Sequence, residues 1–201
     1  MSFQKYANID AVLNSYPDYQ ARIERCIPDK LPDFELPNYL AGIINKNLQI
    51  PRINEFVAGE FLIVPVLREI WSKHYEKIQI WSHPQLKYDD QLTGNPDYLF
   101  SYSITKSIRL GTPLVAVVEA KHEKFNKGWG QCFAEMIACH KLNGSKKKVY
   151  GIVTTGELWQ FGVLENGILS QNDISYIISD LQKLTNVLDY ILRQSIIDQQ
   201  Q

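Results

Sequence analysis

Two side chains of opposite charge stand at the end of an apolar run from Leu114 to Val118. Glu119 and Lys121 are two residues apart, so on a β-strand they project from the same face. There the carboxylate can hold a hard cation, and the lysine can steady a nucleophilic water or a phosphate oxygen. The carbonyl of Ala120 can add a further oxygen ligand. The alternative interpretation of this pair is an ordinary salt bridge at a strand end.

A second carboxylate, Asp97, directly follows the turn sequence Gly94-Asn95-Pro96. It begins a predicted strand, and if this strand pairs with the one that ends at Lys121, Asp97 can reach Glu119. Two carboxylates that close repel each other unless a cation lies between them. The alternative role for Asp97 is that of a turn or capping residue, which is common beside glycine and proline.

The segments around these residues alternate between helical and extended patterns. An amphipathic helix is predicted from Ile53 to about His74, with Asn54 as its N-cap and Pro65 as a kink or break. A second helix is predicted to follow the glycines at 128 and 130, and Asp173 is expected to cap a closing helix. The predicted strands are Lys77–Ser82, Asp97–Ile104, Leu114–Lys121, Val149–Thr154 and Trp159–Leu164, and the second helix is Gln131–Leu142. This order predicts an α/β sandwich with a mixed sheet covered on both faces.

The first fifty residues are interrupted by prolines. The pattern allows helices over Ile9–Ile27 and Tyr39–Leu48, separated by an extended linker, Pro28–Pro37. We therefore expect residues 1–50 to form a helical and extended appendage to a domain that spans residues 51–201.

Composition agrees with a globular protein: 45% of the 201 residues are apolar, 21% are charged, and the formal net charge is −1. This charge excludes a polycation that coats DNA, so any nucleic-acid contact must come from local basic patches. The apolar runs are too short to span a bilayer, and the polar N-terminus does not resemble a signal peptide. Three cysteines without a CxxC motif predict free thiols in a reducing cytoplasm and disfavour zinc.

Pro96-Asp97 followed by Glu119-Ala120-Lys121 at the end of an apolar strand resembles the motif of the PD-(D/E)xK nuclease superfamily. Glu55 matches the glutamate that many members carry on their first core helix, with Glu60 as a competitor. Gln131 lies on the helix after the second motif, where many members have a glutamine. The resemblance covers about Asn54–Leu164 and extends to the paired strands near its end.

This resemblance implies a restriction endonuclease-like α/β sandwich, with a central mixed sheet flanked by helices, that hydrolyses DNA phosphodiester bonds with Mg²⁺ or Mn²⁺. Asp97 and Glu119 would hold the metal, and Lys121 would orient or deprotonate the attacking water. Glu55 would complete the acidic cluster through an outer-shell water. Gln131 would position water or Lys121.

A basic run beginning with Lys121 and His122 suggests where DNA would lie. We expect Lys124 and Lys127 to contact phosphates, and Trp129 to contact a base or sugar. The run at 146–148 offers a second phosphate contact, although both runs also fit solvated loops.

An expectation about partners and two rival functions accompany this interpretation. The chain shows no helicase motif, zinc finger or helix-turn-helix, so a homodimer or a partner protein is expected to supply target recognition. A catalytically silent nuclease-fold module acting in protein or DNA interaction is the rival function. Hydrolysis of RNA or of branched DNA is a second enzymatic rival.

Glu135 shares a helix face with Gln131 and is expected to be a solvated helix glutamate.

Overall fold

The computed structural model describes residues 3–104, 109–121 and 124–198. Its helices are α1 (Ile9–Ser15), α2 (Asn38–Asn47), α3 (Glu55–Ala58), α4 (Val64–Ser72), α5 (Phe125–Leu142) and α6 (Leu181–Ile197). Its strands are β1 (Gln20–Ile23), β2 (Ile78–Ser82), β3 (Leu86–Lys87), β4 (Thr93–Gly94), β5 (Tyr98–Tyr102), β6 (Leu114–Ala120), β7 (Val149–Thr154), β8 (Leu158–Glu165), β9 (Ile168–Gln171) and β10 (Tyr176–Ile177).

An eight-stranded mixed sheet runs through the centre in the order β1-β9-β8-β7-β6-β5-β2, with β10 paired to β8. The β6–β7 and β1–β9 pairs are parallel and the remaining pairs are antiparallel. Parallel β6 and β7 are joined through α5, as a parallel pair requires a crossover connection. β3 and β4 form a separate two-stranded ribbon.

Helices cover both faces of the sheet. One core cluster contains α2, α4 and α6, and the other contains α1, α5 and the N-terminal Phe3 and Tyr6. Along β6, Val118 packs into the first cluster and Val117 into the second. Because side chains alternate along a strand, Glu119 projects with Val117 toward α5. The prediction of a mixed sheet flanked by helices is confirmed.

The helix predicted over Ile53–His74 is present but divided. Asn54 caps α3 by accepting from the backbone N–H of Val57, as predicted. A π-helical turn, Gly59–Ile63, then joins α3 to α4 directly before Pro65. Proline has no backbone N–H to donate, so it is tolerated where the helix restarts. The irregularity predicted at Pro65 is therefore present as a π-helical turn that ends two residues before it.

The described part of residues 1–50 is packed into both cores, which differs from the expected appendage. The helix predicted over Ile9–Ile27 ends at Ser15, and the chain then forms β1, an edge strand of the main sheet. Tyr6 and Val12 are buried against α5. The second N-terminal helix, predicted over Tyr39–Leu48, is confirmed as α2.

Two helix boundaries also differ from the predictions. Gly128 and Gly130 lie inside α5 rather than before it. A Cβ at Gly128 would come within 2.6 Å of Val153 Cγ1, and one at Gly130 within 2.6 Å of the Tyr6 carbonyl oxygen. These glycines are therefore selected by close packing and not by a loop conformation.

The closing helix begins later than predicted. Asp180 caps α6 by accepting from the N–H of Lys183, whereas Asp173 forms an ion pair with Arg25 at 2.6 Å. Intervening β10 explains the shift, because the predicted helical stripe began at Ile177, which lies in that strand.

All three cysteines fall within the described residues, and each is an unpaired thiol. In the described ranges, every helix is too short or too polar to traverse a lipid bilayer.

Candidate functional site

Strand register brings the two predicted acidic motifs together. In the antiparallel β5–β6 pair Tyr98 stands opposite Val118, so one step further Asp97 stands opposite Glu119. The Asp97 carboxylate is fixed there, because its Oδ2 accepts a hydrogen bond from the Ala120 backbone N–H at 2.7 Å. The predicted pairing of these strands is confirmed.

Both residues line a cleft of about 830 Å³ between α3, α5 and the ends of β2, β5 and β6. Most of the sequence-predicted site residues are found in its wall, together with several that were not predicted. The charged and imidazole side chains of the wall are Glu55, Glu60, His83, Asp97, Glu119, Lys121, Lys124, Lys127 and Glu135. Ala120 and Gln131 also line the cleft. A cleft of this size and polarity suits a small polar ligand or a segment of a charged polymer.

Glu119 is only 3% exposed, and its two oxygens differ in environment. Oε1 accepts from Lys121 Nζ at 2.6 Å, whereas Oε2 is buried without a hydrogen-bond partner among the described residues. Burial raises the pKa of Glu119 to about 7, the Asp97 carboxylate adds to this rise, and the Lys121 ammonium opposes it. The site is therefore electrostatically unbalanced toward negative charge.

Asp97 and Lys121 respond to the same environment. Burial raises the pKa of Asp97, while the Ala120 hydrogen bond and the Lys121 charge oppose the rise. Burial disfavours the charged form of Lys121, but contact with Glu119 outweighs it, so the pKa of this ammonium is raised. Lys121 therefore stays protonated while it contacts Glu119.

Glu135 corrects a sequence prediction. It was expected to be a solvated glutamate, but it is 1% exposed and its Oε2 has no hydrogen-bond partner among the described residues. Burial and the neighbouring Glu119 and Asp97 charges raise the pKa of Glu135 well above its usual value of 4.5. The sequence carried a signal for this burial, because apolar residues surround position 135 on every side of the helix, as in a buried helix.

The two helix glutamates both line the cleft wall. Glu55 lies in the first turn of α3, and its charge contributes to the raised pKa values of Asp97 and Glu119. Glu60 lies in the π-helical turn. Burial and then the Asp97 charge raise the pKa of Tyr98 to about 12, and Glu60 adds a smaller rise. Glu55 is thus the glutamate that acts on the acidic pair.

The predicted nucleic-acid contacts separate into two groups. Lys124 and Lys127 are exposed at the cleft wall, one just before α5 and one in its first turn. Trp129 is instead 3% exposed, and its indole N–H donates to Gln160 Oε1 at 2.8 Å. The expected contact between Trp129 and a base or sugar is therefore corrected: this indole belongs to the core.

The other basic residues contribute little to the cleft as described. The run at 146–148 directly precedes β7. Glu119 pairs with Val153 near the other end of β7, so this run lies away from Glu119. Lys147 donates to the Asp198 carbonyl, and Lys148 pairs with Glu165. His122 lies outside the described residues.

His83 is a cleft residue that sequence reasoning missed. It follows β2, and its Nε2 lies 3.5 Å from Asp97 Oδ1. The position next to Asp97 depends on the β2–β5 register, which sequence alone does not reveal.

The donor set can be compared with the needs of different metals. Within the described residues, no three His, Cys, Asp or Glu side chains stand together in an arrangement that would hold a metal ion. Mg²⁺ does not require such a cage, because it keeps several waters and binds through one or two carboxylates together with substrate phosphates. Asp97 and Glu119 supply two carboxylates on adjacent strands, and Glu119 Oε2 is unpartnered. These residues fit a hard, largely hydrated cation better than zinc.

Comparison with known proteins adds nothing to this geometry: no family model matches the chain, and no curated protein matches it.

Proposed function

We propose that this protein is a Mg²⁺- or Mn²⁺-dependent nuclease of restriction endonuclease-like fold that hydrolyses DNA phosphodiester bonds. The observation that carries the proposal is the pairing of Asp97 with Glu119 at a polar cleft, with a buried, unpartnered oxygen on Glu119. Buried carboxylate oxygens without a partner are rare in folded proteins and often mark a site that binds an ion or a proton. The order of α4, three antiparallel strands, α5 and a parallel strand supports the fold assignment.

Asp97 and Glu119 would hold the cation, with the Ala120 carbonyl as a third oxygen donor. When bound, a divalent cation supplies an activated water and neutralises charge on the phosphate. Lys121 would then be released from its contact with Glu119 to orient the attacking water or to stabilise developing negative charge. Glu55 and Gln131, both in the cleft wall, would act through water.

The surface beside the acidic pair supports an anionic polymer as substrate. Lys124 and Lys127 are exposed on the cleft wall and would contact the DNA backbone. The three free thiols support a reducing, cytoplasmic setting.

The test is cleavage of DNA with Mg²⁺ or Mn²⁺ by wild type, Glu119→Ala and Lys121→Ala. We expect each variant to lose at least about a hundredfold in rate, because each removes a group that stabilises charge in the transition state. Circular dichroism of each variant should show that the fold is retained. The matched control is Glu165→Ala, which removes a carboxylate from the sheet outside the cleft and should leave cleavage unchanged.

Wild type that neither cleaved any of several DNA substrates nor bound metal would refute the nuclease proposal. That outcome would favour the second candidate, a catalytically silent module of the same fold that acts in protein or DNA interaction. Two observations favour this candidate: Lys121 already neutralises Glu119, and three metal-binding side chains do not converge in the described residues. A pull-down that recovered one stable protein partner and no DNA would support it.

A further inference from the structure

His83 stands beside the acidic pair because three strands end together. Ser82 pairs with Tyr98 at the last step of the β2–β5 register, and the His83 backbone N–H then donates to the Asp97 carbonyl at 2.9 Å. His83, Asp97 and Glu119 therefore occupy successive positions across the ends of β2, β5 and β6. This row crosses the wall of the cleft.

Each nitrogen of the His83 imidazole has a polar neighbour. Ser82 Oγ lies 2.9 Å from Nδ1, and Nε2 faces Asp97 Oδ1 at 3.5 Å. When the Ser82 hydroxyl donates to Nδ1, the ring hydrogen resides on Nε2, the nitrogen nearer to Asp97, because the contact of one nitrogen sets the state of the other. The ring also packs against Tyr98, with centroids 5.9 Å apart.

The backbone of His83 is in a conformation that few side chains adopt. Its φ is 50°, in the left-handed region that favours glycine. The Asn95 side chain holds this conformation by donating from Nδ2 to the His83 carbonyl at 3.2 Å. Strain of this kind persists where the surrounding structure enforces it, and it is concentrated at functional sites.

Each oxygen of the Asp97 carboxylate therefore has a neighbour. Its Oδ2 accepts from the Ala120 N–H, and its Oδ1 faces the His83 ring. Each carboxylate oxygen retains a second lone pair for a cation. The His83 imidazole also favours the ionised form of Asp97, opposing the effect of burial on its pKa.

We propose that His83 is a positioning residue that fixes the Asp97 carboxylate for the divalent cation, and that Ser82 fixes His83 in turn. This inference rests on the proposed function, since it assigns a second layer of contacts to the proposed cation site. Outer partners of this kind orient carboxylate and imidazole groups at metal sites, and their loss weakens metal binding by about 10–100-fold.

The test uses His83→Gly, which removes the ring while relieving the backbone. Mn²⁺ binding is measured by calorimetric titration of the full chain, and the melting temperature is measured without metal. We expect Mn²⁺ affinity to fall about tenfold while the melting temperature stays at or above that of wild type. His83→Gln, whose amide N–H reaches about as far as Nε2, should recover part of the lost affinity.

Ser145→Gly is the matched control, because Ser145 also has a left-handed φ, 58°, but lies in the turn after α5. It should change the melting temperature in the same direction as His83→Gly and leave Mn²⁺ affinity unaltered. Equal Mn²⁺ affinity in wild type and His83→Gly would overturn the positioning role while leaving the cation site intact. A lower melting temperature with weak binding and no recovery in His83→Gln would assign His83 a structural role only. Wild type without Mn²⁺ binding would refute the proposed function and this inference with it.

Discussion

The two faces of the sheet bury carboxylates in opposite ways. On the face covered by α4 and α6, the α6 residue Asp189 is 3% exposed and both of its oxygens are paired: Oδ1 with His74 Nε2 at 2.8 Å and Oδ2 with Arg193 Nε at 2.5 Å. On the face covered by α5, Glu119 of β6 and Glu135 of α5 are similarly buried, and each keeps an oxygen without a hydrogen-bond partner among the described residues. Within the described ranges, the cation that pairs directly with this second group is Lys121, through Glu119.

This difference distinguishes a buried carboxylate that stabilises the fold, Asp189, from two that destabilise it, Glu119 and Glu135. A buried charge is tolerated when paired groups satisfy its oxygens, and it is costly when they do not. The raised pKa of Glu119 and Glu135 expresses that cost as a tendency to hold protons. We interpret this cluster at an open cleft as a binding site that lowers the stability of the fold.

The largest expected effect belongs to the satisfied carboxylate. Asp189→Ala leaves His74 and Arg193 without their common partner and should lower the free energy of unfolding by about 3 kcal/mol. In a chain of this length, that loss corresponds to a fall in melting temperature of about 6–12 °C. Urea denaturation at pH 7, followed by tryptophan fluorescence, measures it. The control is Asp90→Ala, which removes an exposed aspartate paired with Lys87. A loss in Asp189→Ala no larger than in this control would show that the contacts of Asp189 with His74 and Arg193 do not support the fold.

The unsatisfied carboxylate should give the opposite sign. Glu135→Gln keeps the shape of the side chain, removes a buried acid whose ionisation beside Glu119 is unfavourable, and should raise the free energy of unfolding by about 1–2 kcal/mol at pH 8. Because the folded-state pKa of Glu135 lies above its ordinary value of 4.5, the folded protein holds a proton that the unfolded chain releases. The wild-type protein is therefore most stable, relative to the variant, below about pH 4.5, and it loses that stability as the pH rises.

Urea denaturation of wild type and Glu135→Gln at pH 4.5 and pH 8 tests both the sign and the window. The advantage of the variant should be small at the lower pH and should grow toward the higher one. If Glu135→Gln were less stable than wild type at pH 8, the Glu135 carboxylate would be a stabilising group, and the contrast with Asp189 would fail.

Sequence reasoning succeeded where local rules decide the outcome. Alternation along β6 put Glu119 and Lys121 on one face, Asp97 directly precedes β5, and Asn54 capped α3. Each of these depends on a few neighbouring residues and on backbone geometry alone.

It failed where distant segments decide the outcome. Glu135 is buried because the sheet and the N-terminal segment with Tyr6 enclose α5 together, and β1 joins the sheet through a partner about 150 residues away in the chain. The proximity of His83 to Asp97 depends on the register between β2 and β5, which the hydrophobic pattern of the sequence does not determine uniquely. Residues whose roles depend on non-local packing were therefore the ones missed.

The smallest expected effect separates the two partners of Asp189. Arg193 is 56% exposed and lies one helical turn after Asp189, so its contribution is that of a solvent-screened pair. Arg193→Ala should cost about 0.5 kcal/mol, a small fraction of the loss in Asp189→Ala, because His74 still satisfies the carboxylate. Urea denaturation at pH 7 measures this loss. Adding about 0.5 M salt should screen the Arg193–Asp189 pair and make the loss smaller still. A loss in Arg193→Ala as large as in Asp189→Ala would mean that His74 alone cannot satisfy the buried carboxylate. The two faces of the sheet would then differ in how many partners they give a buried carboxylate, and not in whether they give it one.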